Sequence, residues 1–365
     1  MVFSTFDHVA MTRALRLAER GAYTTKPNPM VGCVITRDDV IIGEGYHVRA
    51  GEPHAEVLAI ASAGENVRGA TAYVTLEPCA HFGRTPPCAD ALIAAGLARV
   101  VIASLDPFPQ VNGQGAQRLR DAGIQVDVGL LEAEARELNR GFYSRLSRGR
   151  PWVTLKLASS MDGHTALASG ESKWISSDAS RRDVHRYRAR VGAIVTGAGT
   201  VLQDDPQLTA RLQGNVDVVQ PLRVVLDPGL ATVGRGKIRE GDAPTLYVHA
   251  PNAKVPRDLK AELVSAPVNG NHFNLLSVLH MLAARQVNEV LVETGATLAG
   301  AFLNAKLVDE LVLYQSPVLL GSGARPLFDN VNITTMAERI TLHRTDVRVL
   351  GEDLRITYRP QESIA

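Results

Sequence analysis

One histidine and two cysteines, set in short motifs, carry the strongest chemical signal in the sequence. They lie in His54-Ala55-Glu56, in Glu77-Pro78-Cys79 and at Cys88. Imidazole nitrogen and thiolate sulfur are donors that zinc favours. Three protein ligands leave a fourth tetrahedral position open to water, the mark of a catalytic rather than a structural site. Zinc brings the ionisation of that water toward about pH 7. Glu56 stands two residues after His54, at a helix start. There it can take the proton from water and pass it to a ring nitrogen and then to a leaving amine.

His-x-Glu followed by Pro-Cys-x-x-Cys is a signature of zinc nucleobase deaminases. Eight residues separate Cys79 from Cys88 here, where the signature has two, so the second thiolate lies beyond an inserted loop. A His-Ala-Glu alone says nothing, and two nearby cysteines can be buried core thiols. The joint pattern, with each piece at a helix start or strand end, argues for one catalytic zinc per chain. Cys33, in the apolar run Val31-Gly32-Cys33-Val34-Ile35, reads instead as a small buried hydrophobe. The inserted loop holds His81 and Arg84. Arg84 can clamp a phosphate or carboxylate, or be a solvated loop charge. Asn28, in Pro27-Asn28-Pro29, can present its amide to a heterocycle or form an Asx-turn. His47 is a substrate contact or a surface residue.

These residues need a scaffold, and the patterning supplies one. The first twenty residues predict a helix with Phe6, Val9, Leu15 and Leu17 on one side. Residues 31–35 and 40–45 predict a hairpin around Arg37-Asp38-Asp39. Helices at 55–63, 89–95 and 115–122 then alternate with strands at 72–76, 99–103 and 125–128. That alternation describes a sheet covered by helices, an α/β domain. Ser, Arg, Gly and Pro cluster at 145–151 and mark a boundary. The domains expected are 1–147 and 148–365. In the second, strands at 153–157, 193–196, 223–226, 245–248, 289–293 and 310–314 and helices at 179–190, 275–284 and 296–304 predict another α/β fold.

Composition narrows the class. The chain has 365 residues, is 45% hydrophobic and 21% charged, and so has the material for large cores rather than disorder. Lys and Arg total 39 against 38 Asp and Glu, a net charge of +1. No global field is available to hold a nucleic-acid backbone or an anionic membrane. Three cysteines cannot form a disulfide framework. No apolar run is long enough to span a membrane, and Asp7, Arg13 and Arg16 stand where a signal peptide needs an apolar stretch. A cytoplasmic protein acting on a small molecule is expected.

The second half has no Gly-x-Gly-x-x-Gly after its first strand, so the standard dinucleotide fingerprint is absent. It has two glycine turns after strands, Thr196-Gly197-Ala198-Gly199-Thr200 and Glu293-Thr294-Gly295-Ala296-Thr297. Ligands of open α/β sheets sit at the carboxyl ends of strands. The second turn opens a helix whose free N–H groups suit a pyrophosphate, although either turn can be a plain connection.

Together the motifs resemble one family, the bifunctional pyrimidine deaminase/reductases of riboflavin biosynthesis. The resemblance rests on Lys26-Pro27-Asn28-Pro29-Met30-Val31-Gly32-Cys33, on Gly51-Glu52-Pro53-His54-Ala55-Glu56 and on the stretch from Thr75-Leu76-Glu77-Pro78-Cys79 through His81-Phe82-Gly83-Arg84-Thr85-Pro86-Pro87-Cys88. It continues in Lys156-Leu157-Ala158-Ser159-Ser160-Met161-Asp162-Gly163, Gly170-Glu171-Ser172-Lys173-Trp174-Ile175, Thr200-Val201-Leu202-Gln203-Asp204-Asp205-Pro206 and Val292-Glu293-Thr294-Gly295-Ala296-Thr297-Leu298. The long loop before Cys88 is itself a mark of this family. Lys26, Ala80 and Phe108 depart from its usual residues, and Ala80 forgoes a hydroxyl contact to substrate.

The resemblance implies a cytidine-deaminase-like α/β/α domain followed by a dihydrofolate-reductase-like α/β domain. The first would remove the 2-amino group of a diamino-pyrimidinone ribosylamine phosphate. The second would use NADPH to reduce the ribosyl chain to a ribityl one. It implies zinc on His54, Cys79 and Cys88, Glu56 as the proton carrier, and substrate contacts from Asn28, His47, His81 and Arg84. In the reductase it implies cofactor contacts from Ala158, Trp174, Thr200, Asp204 and the run Gly295, Ala296, Thr297, Leu298, Ala299, Gly300 and Ala301. Substrate would meet Ser172, Arg188, Leu208, Arg211 and Glu293. Arg188 and Arg211 would fork onto the sugar phosphate, and Lys156 with Glu293 would assist proton delivery. Family membership also implies a homo-oligomer, dimer or tetramer. Two competing readings are a nucleic-acid base deaminase with a C-terminal binding domain, and a structural zinc module fused to a nucleotide-sensing domain.

Overall fold

The computed structural model describes residues 2–80, 87–108, 112–172, 175–255, 261–270 and 272–361. The chain divides into two units, Met1–Gly149 and Arg150–Ala365. The break falls two residues later than the boundary read from the sequence. A helix continues through Arg148, and Gly149, at φ 67°, ends it in the left-handed region.

The first unit runs α1 (Thr5–Glu19), β1 (Gly32–Arg37), β2 (Val40–Tyr46), α2 (Ala55–Ala63), β3 (Thr71–Val74), α3 (Cys88–Ala95), β4 (Arg99–Ile102), α4 (Gln114–Asp121), β5 (Gln125–Val128), α5 (Glu132–Leu138) and α6 (Arg140–Arg148). Its sheet has the order β2-β1-β3-β4-β5. β1 pairs antiparallel with β2 and β3, and β3, β4 and β5 are parallel. Side chains alternate across the strands as the pleat requires. Cys33, Ile35, Ala72, Val74, Val100 and Ile102 face one apolar core with Ala59, Leu92 and Leu119 of α2, α3 and α4. Val34, Tyr73 and Val101 face the other, with Ala14 and Leu17 of α1. Cys33 is fully buried, as a core residue.

Helix α1 buries Leu17 and packs Phe6 and Leu15 against the core as expected, but not Val9. Val9 is exposed, and Ala10, Met11, Ala14, Leu17 and Ala18 are buried. The small side chains let the helix close on β1, where a Cβ on Gly32 would stand only 2.0 Å from the Ala14 carbonyl oxygen. Ser4 and Asp7 cap the helix reciprocally. Asp7 also accepts hydrogen bonds from the Tyr73 hydroxyl and Arg99, each at 2.7 Å. Burial raises the Asp7 pKa, but these donors outweigh it and hold the carboxyl at about 2. A pKa held below its unfolded value adds stability above about pH 4, and that stability is lost as pH falls toward 2. Denaturant titrations followed on the first unit should therefore show stability dropping between pH 4 and 2. Asp7→Asn should start lower and show a flatter dependence; equal slopes would remove Asp7 as the cause.

The second unit runs β6 (Trp152–Ser160), β7 (His164–Ala166), α7 (Asp178–Arg190), β8 (Ala193–Gly197), α8 (Ala198–Asp204), β9 (Leu222–Leu226), β10 (Thr245–His249), β11 (Glu262–Ser265), β12 (Val268–Asn269), β13 (His272–Phe273), α9 (Leu275–Ala284), β14 (Glu289–Glu293), α10 (Ala296–Asn304), β15 (Glu310–Ser316), β16 (Arg325–Pro326), β17 (Leu342–Leu350) and β18 (Asp353–Pro360). The main sheet has the order β11-β10-β9-β8-β14-β6-β15-β18-β17. Its strands from β11 to β15 are parallel, and β18 and β17 add antiparallel at the end. Val290 and Val292 of β14 enter the core beneath α9 and α10, while Leu291 enters the one beneath α7. No helix of the described residues is long and apolar enough to cross a membrane.

Candidate active sites

In the first unit the three expected ligands converge because three helix and strand ends do. His54 is the N-cap of α2, Cys88 is the first residue of α3, and Cys79 follows β3 by a short turn. Their donor atoms all lie within 4.8 Å of one another. His54 Nδ1 is 3.1 Å from Cys88 Sγ and 3.8 Å from Cys79 Sγ. Zn–S bonds of about 2.3 Å and Zn–N bonds of about 2.0–2.1 Å at tetrahedral angles give N···S edges of about 3.6 Å. The cluster brackets that value. Its N,S,S donor set fits zinc, and three protein ligands leave one position of a tetrahedral site to a fourth.

Electrostatics agree with the geometry. The Cys88 thiol donates to Cys79, and with His54 nearby this outweighs burial and pulls the Cys79 pKa down. Cys88 is correspondingly pushed up by that hydrogen bond and by burial. Glu56 is 3% exposed, and its Oε2 has no hydrogen-bond partner among the described residues. Burial pushes its carboxyl up to about 7, against the opposing pull of His54. A carboxyl poised near neutrality can both accept and donate a proton.

Asn28 and His47 join the same cluster. His47 is 3% exposed, which settles its alternative reading as a surface residue against that reading. Its ring meets His54 edge to face, with centroids 5.2 Å apart. Asn28 Nδ2 lies 3.0 Å from His47 Nε2, so that nitrogen accepts and Nδ1–H faces the Pro53 carbonyl at 3.3 Å. Asn139 brackets Met30 from both sides, accepting from its N–H and donating to its carbonyl, each at 2.8 Å. It thereby fixes the turn that carries Asn28. The sequence held no local signal for Asn139, which lies 109 residues away. His81 and Arg84 lie outside the described residues.

In the second unit a cleft of about 1150 Å³ opens at the carboxyl ends of β6, β8 and β14. The parallel register places Lys156 of β6 opposite Glu293 of β14. Burial lowers the Lys156 pKa and Glu293 opposes the shift. The Lys156 ammonium stands 5.7 Å from the centroid of the Tyr314 ring. Burial would raise the Glu293 pKa, but Arg188 overrides it and holds the carboxyl low.

Arg188 has a protein partner in this cleft. Its Nε and Nη2 donate to the two Glu293 oxygens at 2.6 and 2.9 Å, a bidentate pair. α7 sets Arg188 over the end of β14, where its fork meets the carboxylate. Arg211 stays on the cleft wall, donating to Gln207 and to Thr209 Oγ1. His185, one turn before Arg188, was not singled out from the sequence. Burial, with Arg188 and Arg211, holds it at about 4 and therefore neutral. A lone histidine among the five arginines of α7 gives no pattern to recognise.

Ala158, Ser172, Thr200, Asp204 and Leu208 all line this cleft. So do Gly295, Ala296, Thr297 and Leu298 at the start of α10. Ala299, Gly300 and Ala301 are not among the residues that line it. Helical rotation carries them inward: Ala299 enters the core, Ala301 packs against it, and Gly300 abuts the Asp329 carbonyl. Trp174 lies outside the described residues.

Comparison with known proteins completes the picture. Residues 151–356 match the model of the RibD C-terminal domain, and residues 4–104 match the cytidine and deoxycytidylate deaminase zinc-binding region. The riboflavin biosynthesis protein RibD of Escherichia coli (strain K12) is 47% identical over 360 residues, covering 95% of this chain and 98% of that protein. Its counterpart from Haemophilus influenzae is 45% identical over 375 residues, covering 98% and 99%. Acinetobacter baumannii RibD superposes with a TM-score of 0.92 at 46% identity, covering 98% of this chain and 99% of that one. The Thermotoga maritima diaminohydroxyphosphoribosylaminopyrimidine deaminase/5-amino-6-(5-phosphoribosylamino)uracil reductase superposes with a TM-score of 0.87 at 36% identity, with the same coverage. Both expected fold classes hold, cytidine-deaminase-like then dihydrofolate-reductase-like. The chain belongs to the RibD family of riboflavin biosynthesis proteins and is a bifunctional deaminase and reductase.

Proposed function

We propose that the chain performs two successive reactions on one small molecule. The first hydrolyses 2,5-diamino-6-(5-phosphoribosylamino)pyrimidin-4(3H)-one to 5-amino-6-(5-phosphoribosylamino)uracil and ammonia. The second reduces that product, with NADPH, to 5-amino-6-(5-phosphoribitylamino)uracil. One observation carries the reading most strongly. The buried Glu56 carboxyl, with an unpartnered oxygen, lies beside a three-ligand His54, Cys79 and Cys88 cluster.

In the deaminase, His54, Cys79 and Cys88 would hold zinc. Bound zinc supplies Lewis acidity that makes water a nucleophile near neutral pH. Glu56 takes a proton from the attacking water and passes it to the ring nitrogen beside the reacting carbon; it then takes the proton of the newly added hydroxyl and gives it to the amine, which departs as ammonia as the carbonyl forms. Asn28 and His47 orient the pyrimidine. In the reductase, Ala158, Thr200, Asp204 and the first turn of α10 would seat NADPH, whose nicotinamide supplies hydride to the sugar C1. Lys156 delivers the proton needed by the sugar ring oxygen as C1 releases it. Glu293 is held in place by Arg188 and bonds the sugar hydroxyls. Arg211, beside the neutral His185, meets the phosphate.

The balanced charge supports a small-molecule substrate over a nucleic acid. The family resemblance supports a cytoplasmic homo-oligomer, dimer or tetramer, which light scattering would test. The activity itself is tested on zinc-loaded protein with the diamino substrate. Ammonia should appear without NADPH, and NADPH oxidation should follow once it is added. Ammonia with no oxidation would refute the reductase half. Stripping zinc with a chelator should abolish ammonia release yet leave oxidation of NADPH by pre-deaminated substrate unchanged.

A further inference from the structure

We infer that Glu77 is a positioning residue for the Cys79 ligand, acting through helix α4; this rests on the zinc reading above. Glu77 is 4% exposed and is not part of the ligand cluster. Its carboxylate accepts three backbone N–H groups, from Gly113 at 2.9 Å, Ala116 at 3.1 Å and Asp106 at 3.1 Å. Gly113 is the N-cap of α4 and Ala116 lies in its first turn. The carboxylate therefore closes the positive end of that helix.

Helix α4 grips the same segment twice more. Gly115 packs so closely that a Cβ there would stand 2.0 Å from the Pro78 carbonyl oxygen. Arg118 donates to the Ala80 carbonyl at 3.0 Å and pairs with Asp90 of α3 at 2.7 Å. The residues on both sides of Cys79 are thus tied to α4, and α4 is tied to the helix that begins with Cys88. Cys79 then meets that helix directly, its Sγ accepting the Cys88 N–H at 3.2 Å and its carbonyl the Ala89 N–H at 3.2 Å. The separation of the two sulfurs depends on this framework. Groups that orient metal ligands from behind typically change metal affinity by about 10–100-fold when altered.

Glutamine at position 77 keeps the shape but turns an NH2 toward backbone donors, leaving at least one of them unpaired. The test uses the full zinc-loaded chain carrying Glu77→Gln. Zinc transfer to a chromophoric chelator should speed up about 10–100-fold. The thiolate-to-metal band of the cobalt-substituted protein should shift, and NADPH oxidation by pre-deaminated substrate should stay at the wild-type rate. Unchanged zinc release and an unchanged cobalt band would overturn the proposal, whatever happens to the melting temperature. If Glu77→Gln fails to fold, Gly115→Ala presses on the Pro78 carbonyl with the carboxylate intact. Faster zinc release is again expected, and wild-type release would overturn the role of α4. A wild-type chain that takes up no zinc would instead refute the zinc reading itself.

Discussion

Glu56→Gln should lower ammonia release by about 10²–10⁴-fold, the usual worth of a positioned proton carrier, and leave the zinc content unchanged. The amide fills the same space at the start of α2, so the His54 cap and the two sulfurs need not move. It cannot take a proton from water or hand one to an amine. The carboxyl oxygen at this position is buried without a partner among the described residues, an arrangement that costs stability and has no packing value. Glutamine leaves a polar atom there just as unpartnered, so the melting temperature should stay near that of the wild type while activity collapses. NADPH oxidation by pre-deaminated substrate should be normal, because Lys156 and Glu293 belong to the other unit. Deamination at the wild-type rate would favour the competing view of the zinc site as purely structural.

Lys156→Ala should produce the opposite pattern. Reduction should fall by about 10²-fold or more, since a proton donor is lost, and ammonia release should be untouched. The fold should tolerate the change. Burial lowers the Lys156 pKa, with Glu293 the main opposing charge, whereas Glu293 keeps its bidentate partner Arg188. Arg188→Ala makes the informative contrast. It strands the Glu293 carboxylate in a buried site and should destabilise the second unit by about 3–5 kcal/mol in addition to any kinetic effect. Thermal melts and single-turnover NADPH oxidation separate the two variants. Loss of deamination in Lys156→Ala would refute the independence of the two sites.

Much of the scaffold was legible because its signals are local. Helices Ala55–Ala63, Leu275–Ala284 and Ala296–Asn304 and strands Gln125–Val128 and Glu289–Glu293 match the expected bounds to the residue. Each has apolar periodicity and a cap or turn at its ends. Several of the elements missed lack such marks. β17 is exposed along most of its length, and its charged side chains follow the solvent rather than a core. α8 begins in a glycine turn that reads as a loop, α5 is a short charged helix without a pattern to read, and α6 runs into the stretch at 145–151 that marks the boundary.

The chemistry of the site residues is a property of the sequence. Imidazole, thiolate and carboxyl at this spacing restrict the metal and the reaction before any folding is considered, because ligand preference depends on atom type. What those groups do to one another is a property of tertiary structure. Whether Arg188 grips a phosphate or Glu293 depends on which strand end lies beneath α7. Whether Ala299 meets a cofactor or the core depends on the rotation of α10 against its sheet. The poise of Glu56 near neutrality comes from burial and from the charges that β3, α2 and α3 bring around it. Long-range packing sets those distances and dielectric surroundings, and no spacing along the chain encodes them singly.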